Sequence, residues 1–336
     1  MAITIKQVAA ESGLSLMTVS YILNDKGHSF RPETRDRVLK AARKLGYRPN
    51  ASARATRSGR FGCISLLMST MPNRSAAFSI MMRSIHDRLA VHRLNLSLSW
   101  FDDEWLTSSA CVPKILTEMM SDGLLINYFQ QIPPALVELI GSNRIPSVWL
   151  NSRQGADCVC PDDLDAGARA TQRLMEAGHR SISFVDCSAS GHYSMGERYE
   201  GYARAMATAG LRPDLLRERT AIPMADRFDY LRAWLGRNGM PTGAVCYSDT
   251  TAGPLHAAAL SLGLRVPDDL SIVTFAGSPA ESSGFPLDTF VVPEGEVGSA
   301  SVEMLIQKIA DPLLRLPERS LAFAFAAGRS VAAPRA

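Results

Sequence analysis

Four side chains at helical spacing, Leu16, Met17, Ser20 and Tyr21, carry the first chemistry legible in this sequence, and it is recognition rather than catalysis. Leucine and methionine offer only apolar contact, and in the DNA major groove the natural target for that is a thymine methyl. Tyr21 can hydrogen-bond a phosphate or a base edge, but it cannot grip guanine with two donors. Thr4, Ser15, Thr18 and Asn24 complete the candidate DNA-contacting set in this stretch. Reaction chemistry is missing by comparison. The chain has no P-loop, no G-x-G-x-x-G, no G-x-S-x-G and no H-E-x-x-H, and its six histidines do not cluster. The paired acids Asp102-Asp103, Asp162-Asp163 and Asp268-Asp269 sit in polar loops where solvated turns account for them. No catalytic residue, metal or cofactor is expected. The close cysteines Cys158 and Cys160 lack a nearby histidine, and the six cysteines read as reduced and structural.

The four reading residues need a helix, and the sequence punctuates one. In VAAESGLSLMTVSYIL (8–23), Ile5, Val8 and Ala9 share a first helical face. Gly13 permits a left-handed turn, Ser15 is a good N-cap, and a second helix starts at Leu16. Leu14, Val19 and Ile22 pack the pair, which is the pattern of a helix-turn-helix. A third helix starts with Pro32 in its first turn, carries Val38, Leu39, Ala42 and Leu45, and stops at Gly46. The surroundings are basic. Residues 1–60 hold twelve Lys and Arg against four Asp and Glu, a net +8, while the remainder is −5. A basic head on an acidic body is the electrostatic footprint of a DNA-binding module joined to something else. Between them, Pro49-Asn50 starts a helix at Ala51 to Arg57 that is too short to stand alone, so it suits folding on DNA beside a second copy. Arg54 and Arg57 can meet phosphates, and Asn50 and Ala53 join the DNA-contacting set. Ser58-Gly59-Arg60 reads as a flexible join.

From Phe61 the pattern alternates strand and helix. CISLLM (63–68), LNLSLSW (94–100), GLLIN (123–127) and PSVWLN (146–151) are strands, with helices at Phe78 to Leu89, Ile115 to Met120 and Leu136 to Ile140 between them. Ala166 to Glu176 opens a second such lobe. Its strands are SISFVD (181–186), TAI near 220–222, AVCYS (244–248) and SIVTF (271–275), and its helices are Glu197–Ala209, Tyr230–Trp234 and Gly253–Leu262. The strand at 289–292 and the helix Val297–Ile309 are expected to return to the first lobe. Ligands of open parallel sheets bind beyond the carboxyl ends of the strands. Those ends present Ser69 to Asn73, Asn127 to Phe129, Asn151, Asp186, Ser248-Asp249 and Ala276-Gly277, and Arg198 starts the helix after the Asp186 strand. Tyr128, Phe129, Trp149 and Phe78 could stack on a ligand or belong to the core.

The chain resembles the lactose/galactose-repressor family of bacterial regulators. The likeness rests on TIKQVAAESGLSLMTVSYILN and RPETRDRVLKAARKLGYRPNASARATRSGR, and it continues in register through MEAGHRSISFV, ERYEGYARAM and LGLRVPDDLSIVTF. It implies an all-α helix-turn-helix head, a hinge helix that folds on the operator, and an α/β two-lobed, periplasmic-binding-protein-like core of two parallel lobes. That core dimerises and binds an effector between the lobes. By the same resemblance, Arg198 in ERYEG matches an arginine that grips effector hydroxyls or a carboxylate, and Ser248-Asp249 stands for an Asn-Asp pair. Departures are specific. Tyr21 sits where many members have arginine, and Arg31 replaces a serine cap. Thr56 stands where a leucine wedges into the minor groove, which predicts weaker bending of the DNA or a wedge from another residue. Ala276 and Gly277 stand where acids are expected.

The expected organisation is a head at 1–46, a hinge and linker at 47–60, and a core at 61–336. Lobe 1 of the core covers about 61–160 and 291–322, and lobe 2 about 161–290 and 323–336. The candidate effector set is Ser75, Phe78, Asn127, Asn151, Arg198, Ser248, Asp249 and Ala276. The expected function is that of a cytoplasmic, sequence-specific regulator, a repressor more than an activator. It binds a near-palindromic double-stranded operator as a homodimer, with a tetramer left open, and a carbohydrate-related effector modulates it. No membrane partner is expected: no apolar run approaches the ~18 residues of a membrane helix, and MAITIKQVAAESG is not a signal peptide. A second reading keeps the DNA-binding regulator but gives it a degenerate cleft and no small-molecule effector.

Overall fold

A computed structural model describes residues 3–24, 30–49, 55, 59–71, 79–106, 113–128, 130–237, 239–282 and 284–335. They form two compact units, Met1–Phe61 and Gly62–Ala336.

In the first unit three helices, α1 (Ile5–Ser12), α2 (Leu16–Leu23) and α3 (Pro32–Leu45), enclose a small core of Val8, Val19, Ile22, Val38, Ala41 and Ala42. Each boundary follows from local chemistry. The Thr4 backbone N–H donates to Gln7 Oε1 at 2.8 Å, one arm of a capping box. Gly13 ends α1 at φ 62°, and Ser15 Oγ accepts from the Thr18 N–H at 3.1 Å to start α2. Pro32 opens α3, which has no side-chain cap at Arg31, and Gly46 closes it at φ 63°. Of the expected hinge helix only Ala55 is among the described residues. Asn50, Ala53, Arg54, Thr56 and Arg57 lie outside them.

The second unit holds two six-stranded sheets. The first contains β1 (Cys63–Ser69), β2 (Asn95–Phe101), β3 (Gly123–Ile126), β4 (Ser147–Leu150) and β5 (Cys158–Pro161), joined by α4 (Ser79–Val91), α5 (Lys114–Thr117) and α6 (Pro134–Ser142). Leaving β5, the chain enters α7 (Asp163–Glu176) and builds the second sheet. Its strands are β6 (Ile182–Asp186), β7 (Asp214–Arg217), β8 (Gly243–Cys246) and β9 (Ser271–Ala276), with α8 (Tyr193–Thr208), α9 (Arg227–Leu235) and α10 (Asp249–Ser261) between them. A two-stranded ribbon, β10 (Glu281–Ser282) and β11 (Phe285–Pro286), precedes β12 (Asp288–Val291). The chain then crosses back as α11 (Glu294–Ala310) and adds β13 (Arg319–Leu321) to the first sheet. It crosses once more to add β14 (Ala324–Ala326) to the second. The strand orders are β13-β5-β4-β3-β1-β2 and β14-β12-β9-β8-β6-β7, parallel throughout except for antiparallel β14. Strands covered on both faces read as continuous apolar runs, and Ile64, Leu66, Leu125 and Val148 are fully buried under α4 and α11.

Four details differ from the sequence-based expectation. The strand expected at 220–222 lies at Asp214–Arg217, an exposed edge strand paired with β6 alone, where little apolar patterning is needed. The strand near 289–292 pairs with β9 and β14 and so stays with the second sheet, and only α11 returns to pack on the first. The helix expected over Ile115 to Met120 ends at Thr117, because Glu118 turns to extended backbone and Met119 and Met120 are exposed. Cys158 and Cys160 sit on a strand the pattern did not reveal, β5. Cys63, Cys158, Cys160, Cys187 and Cys246 are free thiols, and Cys111 lies outside the described residues.

A candidate DNA-reading helix and a candidate ligand cleft

The candidate reading helix α2 divides its residues cleanly. Val19 and Ile22 enter the core, while Leu16, Met17 and Tyr21 are 43%, 67% and 42% exposed. Three large apolar side chains facing water on an eight-residue helix carry a desolvation gain that only a partner can release. Small polar groups hold the frame. Ser15 Oγ lies 2.9 Å from Thr18 Oγ1, and the Asn24 amide donates to Ser20 O at 2.7 Å, finishing the helix. Thr4 is engaged with Gln7 at the start of α1. On the neighbouring helices Lys44 is held by Glu11 at 2.6 Å.

In the second unit the sheet ends and helix starts line a cavity of about 270 Å³. That is small for a ligand site. Asn151, Arg198, Ser248, Asp249 and Ala276 line it, as do Ser190, His192, Ser194, Tyr247 and Glu294. Asn127 does not. It is fully buried, and its amide donates to Met68 Sδ of the neighbouring strand β1 at 3.6 Å. Ser75, Phe78 and Phe129 lie outside the described residues. Tyr128 and Trp149 belong to the core of the first sheet, with the Tyr128 hydroxyl donating to Asp103 at 2.8 Å.

Arg198 is the most constrained group of the cleft. Nε donates to Asp163 Oδ1 at 2.7 Å and Nη1 to Tyr247 O at 2.9 Å. The guanidinium also stacks 4.5 Å from the Phe275 ring centroid and 5.1 Å from that of Tyr247. Burial raises the Asp163 carboxyl above its usual range against the opposing pull of Arg198. The pair meets because α7 and α8 touch at glycines. A Cβ on Gly167 would lie 2.1 Å from Arg198 O, and one on Gly201 would lie 2.1 Å from Leu164 O.

A hydrogen-bonded chain runs along the wall between the sheets. His192 Nε2 lies 3.1 Å from Asn151 O, which can only accept, so Nε2 carries the proton and Nδ1 accepts from Ser194 Oγ at 2.7 Å. The Tyr247 hydroxyl then donates to Ser194 Oγ at 2.9 Å. Burial pushes His192 down to about 4, so the ring is neutral at physiological pH and this proton order is stable. Asn151 also accepts at Oδ1 from the Tyr193 hydroxyl at 2.8 Å. Two residues on, Arg153 holds Glu197 of α8 through Nε at 2.9 Å and Nη2 at 2.6 Å, and also binds Glu318. The segment after β4 is thereby bolted to the start of α8 in the other lobe. Glu318 brings a carboxylate to Cys158 and Cys160, the three ligand atoms lying within 4.8 Å of one another. The sequence separation of Glu318 hid this group, and its carboxylate already serves Arg153.

Residues 4–50 match the family described as bacterial regulatory proteins, lacI family, and residues 171–331 match a periplasmic binding protein-like domain. The HTH-type transcriptional regulator RegA of Clostridium saccharobutylicum is 30% identical over 314 residues, spanning 91% of this chain and 92% of its own. The chain belongs to the lacI family. Another relative, the HTH-type transcriptional repressor PurR of Haemophilus influenzae strain PittEE, is 28% identical over 315 residues, 91% of each chain. The fold matches the lac repressor dimer bound to operator and the anti-inducer ONPF with a TM-score of 0.81, covering 99% of this chain and 100% of that one. It matches the transcriptional regulator CelR in complex with cellobiose with a TM-score of 0.65, covering 98% and 99%. Identities of 22% and 21% make both likenesses ones of fold. As a lacI-family member the chain is a DNA-binding transcriptional regulator, and its relatives carry the names of regulators, not enzymes. Among the described residues no helix is long and apolar enough to cross a membrane.

The sequence marked the strand-end residues of the cleft but missed His192, Ser194, Tyr247 and Glu294. Tyr247 directly precedes the marked Ser248 and was within reach of the same reasoning. Glu294 fell between an expected strand ending at 292 and an expected helix starting at 297, whereas α11 begins with it.

Proposed function

We propose that this regulator is a homodimeric, cytoplasmic repressor whose operator affinity is set by a small polar molecule held between the two lobes of its core. The observation that carries this reading is the cavity itself. Both lobes line it, a buried arginine anchors it, and hydrogen bonds that a change in lobe angle must strain edge it. The related lac repressor and CelR structures contain ligands and PurR is named a repressor, which supports an effector and a repressing role here. A second copy suits the exposed apolar side chains Ile80 and Val91 on α4 and Leu98 and Trp100 on β2. Operator contact falls to Thr4, Ser15, Leu16, Met17, Thr18, Ser20, Tyr21 and Asn24. Asn50, Ala53, Arg54 and Arg57 follow in the hinge, where Thr56 contributes a weak wedge or none. Asn151, Arg198, Ser248, Asp249 and Ala276 are the ligand-facing set. The alternative, a cleft without an effector, takes its support from Ala276 and Gly277, which bring no polar side chain to the end of β9.

Selecting bound sequences from a random DNA pool tests the DNA half of this reading. The full chain is expected to enrich a near-palindrome with thymines at the positions facing Leu16 and Met17, and residues 62–336 alone are expected to enrich nothing. Equal enrichment by that fragment would contradict it.

A further inference from the structure

The cleft holds one carboxylate whose placement the fold has cleared room for. Glu294 opens α11, directly after the chain crosses from the second lobe to the first. Val292 N–H donates to Ala276 O at 2.8 Å, which fixes this crossing against the end of β9. The Glu294 side chain then lies over Gly277. A Cβ at Gly277 would sit 2.6 Å from Oε1 and 3.0 Å from Cδ, so the carboxylate occupies the space a side chain would have filled. Gly277 needs no left-handed backbone. A side chain at this position would therefore have to displace the carboxylate above it.

Charge around the cleft is unbalanced. Arg198 is matched by buried Asp163. Asp249 accepts from the Thr250 N–H at the start of its own helix, and neither Asp249 nor Glu294 pairs with a cation among the described residues. Burial alone raises the Glu294 carboxyl above the usual carboxylate range, as expected for an acid partly removed from water with no cation beside it among the described residues. A partly desolvated carboxylate in a cavity is stabilised by a ligand that brings a donor, and it repels one that brings a second negative charge.

We propose that Glu294 is the ligand-receiving acid of the cleft, that it accepts from a hydroxyl or ammonium of the effector, and that it excludes anionic compounds. The effector class is then a small polyhydroxylated molecule, uncharged or cationic, and not a sugar phosphate or sugar acid. This deepens the effector reading above and rests on it. Gly277 acts as the positioning residue, since a Cβ there would sit 2.6 Å from Oε1 and displace the carboxylate from the place it holds.

The test uses the full chain and thermal shift followed by calorimetric titration. The probes are glucose, galactose and ribose, the 2-amino forms of the two hexoses, glucuronate and galacturonate, the three sugar phosphates, and purine bases. Uncharged or amino sugars are expected to stabilise the protein, and acids and phosphates of the same skeleton are not. Glu294→Gln is expected to weaken the bound sugar tenfold or more and to shrink its advantage over the matching sugar acid. Gly277→Ala, which pushes the carboxylate aside, should weaken the same sugar without lowering the melting temperature of the free protein. An anionic probe that binds as tightly as its neutral parent, or a Glu294→Gln variant with unchanged affinity and selectivity, overturns the role of Glu294 and leaves the cleft as the effector site. Stabilisation by no probe overturns the effector reading itself, and this inference with it.

Discussion

Replacing Arg198 with alanine is expected to cost about 3–5 kcal/mol of stability in the second lobe, the penalty for leaving a buried charge without its partner. Asp163 is fully buried, its Oδ2 has no hydrogen-bond partner among the described residues, and Arg198 supplies the charge-matched bond to Oδ1. The guanidinium also packs between the rings of Phe275, Tyr247 and Phe323, so alanine leaves a cavity among them. From sequence alone the expectation is simpler: loss of effector response with operator binding intact. The geometry gives Arg198 a second task, and a variant that loses effector response could do so by loosening its lobe. Urea denaturation followed by circular dichroism separates the two. Arg198→Ala should lower the midpoint sharply, and adding Asp163→Asn should recover part of the loss by removing the stranded charge. A single variant within about 0.5 kcal/mol of the parent would show that Arg198 has no structural role.

Gly201→Ala is expected to be nearly as damaging, about 3 kcal/mol or more, at the upper end of the cost of overpacking. The added carbon would lie 2.1 Å from Leu164 O and 2.7 Å from Ala168 N, both backbone atoms of α7 that cannot rotate away. Gly167 faces Arg198 O in the reciprocal way at 2.1 Å, so the two helices meet backbone to backbone. Relief requires α8 to move off α7, which carries Arg198 away from Asp163. The effects of Gly201→Ala and Arg198→Ala should therefore fall short of additive, since both break one contact. Melting curves of the two single variants and the double variant test this. A Gly201→Ala protein as stable as the parent would mean that the helices cross at greater distance.

Legibility in the sequence follows whether the deciding contacts are local. The head reads correctly because Gly13, Ser15, Pro32 and Gly46 punctuate it within a few residues of the elements they end or start. The central strands read correctly because burial on both faces makes them short apolar runs, as in CISLLM and GLLI. The edge strand β7 fails that test, since its sequence DLLR is largely exposed. The buried strand β5 fails it for another reason: it is only four residues long and ends in proline. In the cleft, residues at strand ends such as Asn151 and Ser248 follow from the sheet rule. Glu294 and His192 do not, because each enters from the start of a helix whose place depends on how the chain passes between lobes. The glycine contact of α7 with α8 is equally hidden, since no spacing announces which carbonyl will lie above which glycine.

Control of the DNA-binding head by the cleft is tested most directly by the operator dissociation constant of the full chain, measured by fluorescence anisotropy at fixed salt with and without a saturating compound that stabilises the core. Coupling between two sites is typically 5–150-fold. The expected result is a shift of about tenfold or more, absent in a protein whose cleft no longer binds that compound. An operator affinity that stays the same at full occupancy of the cleft would contradict it.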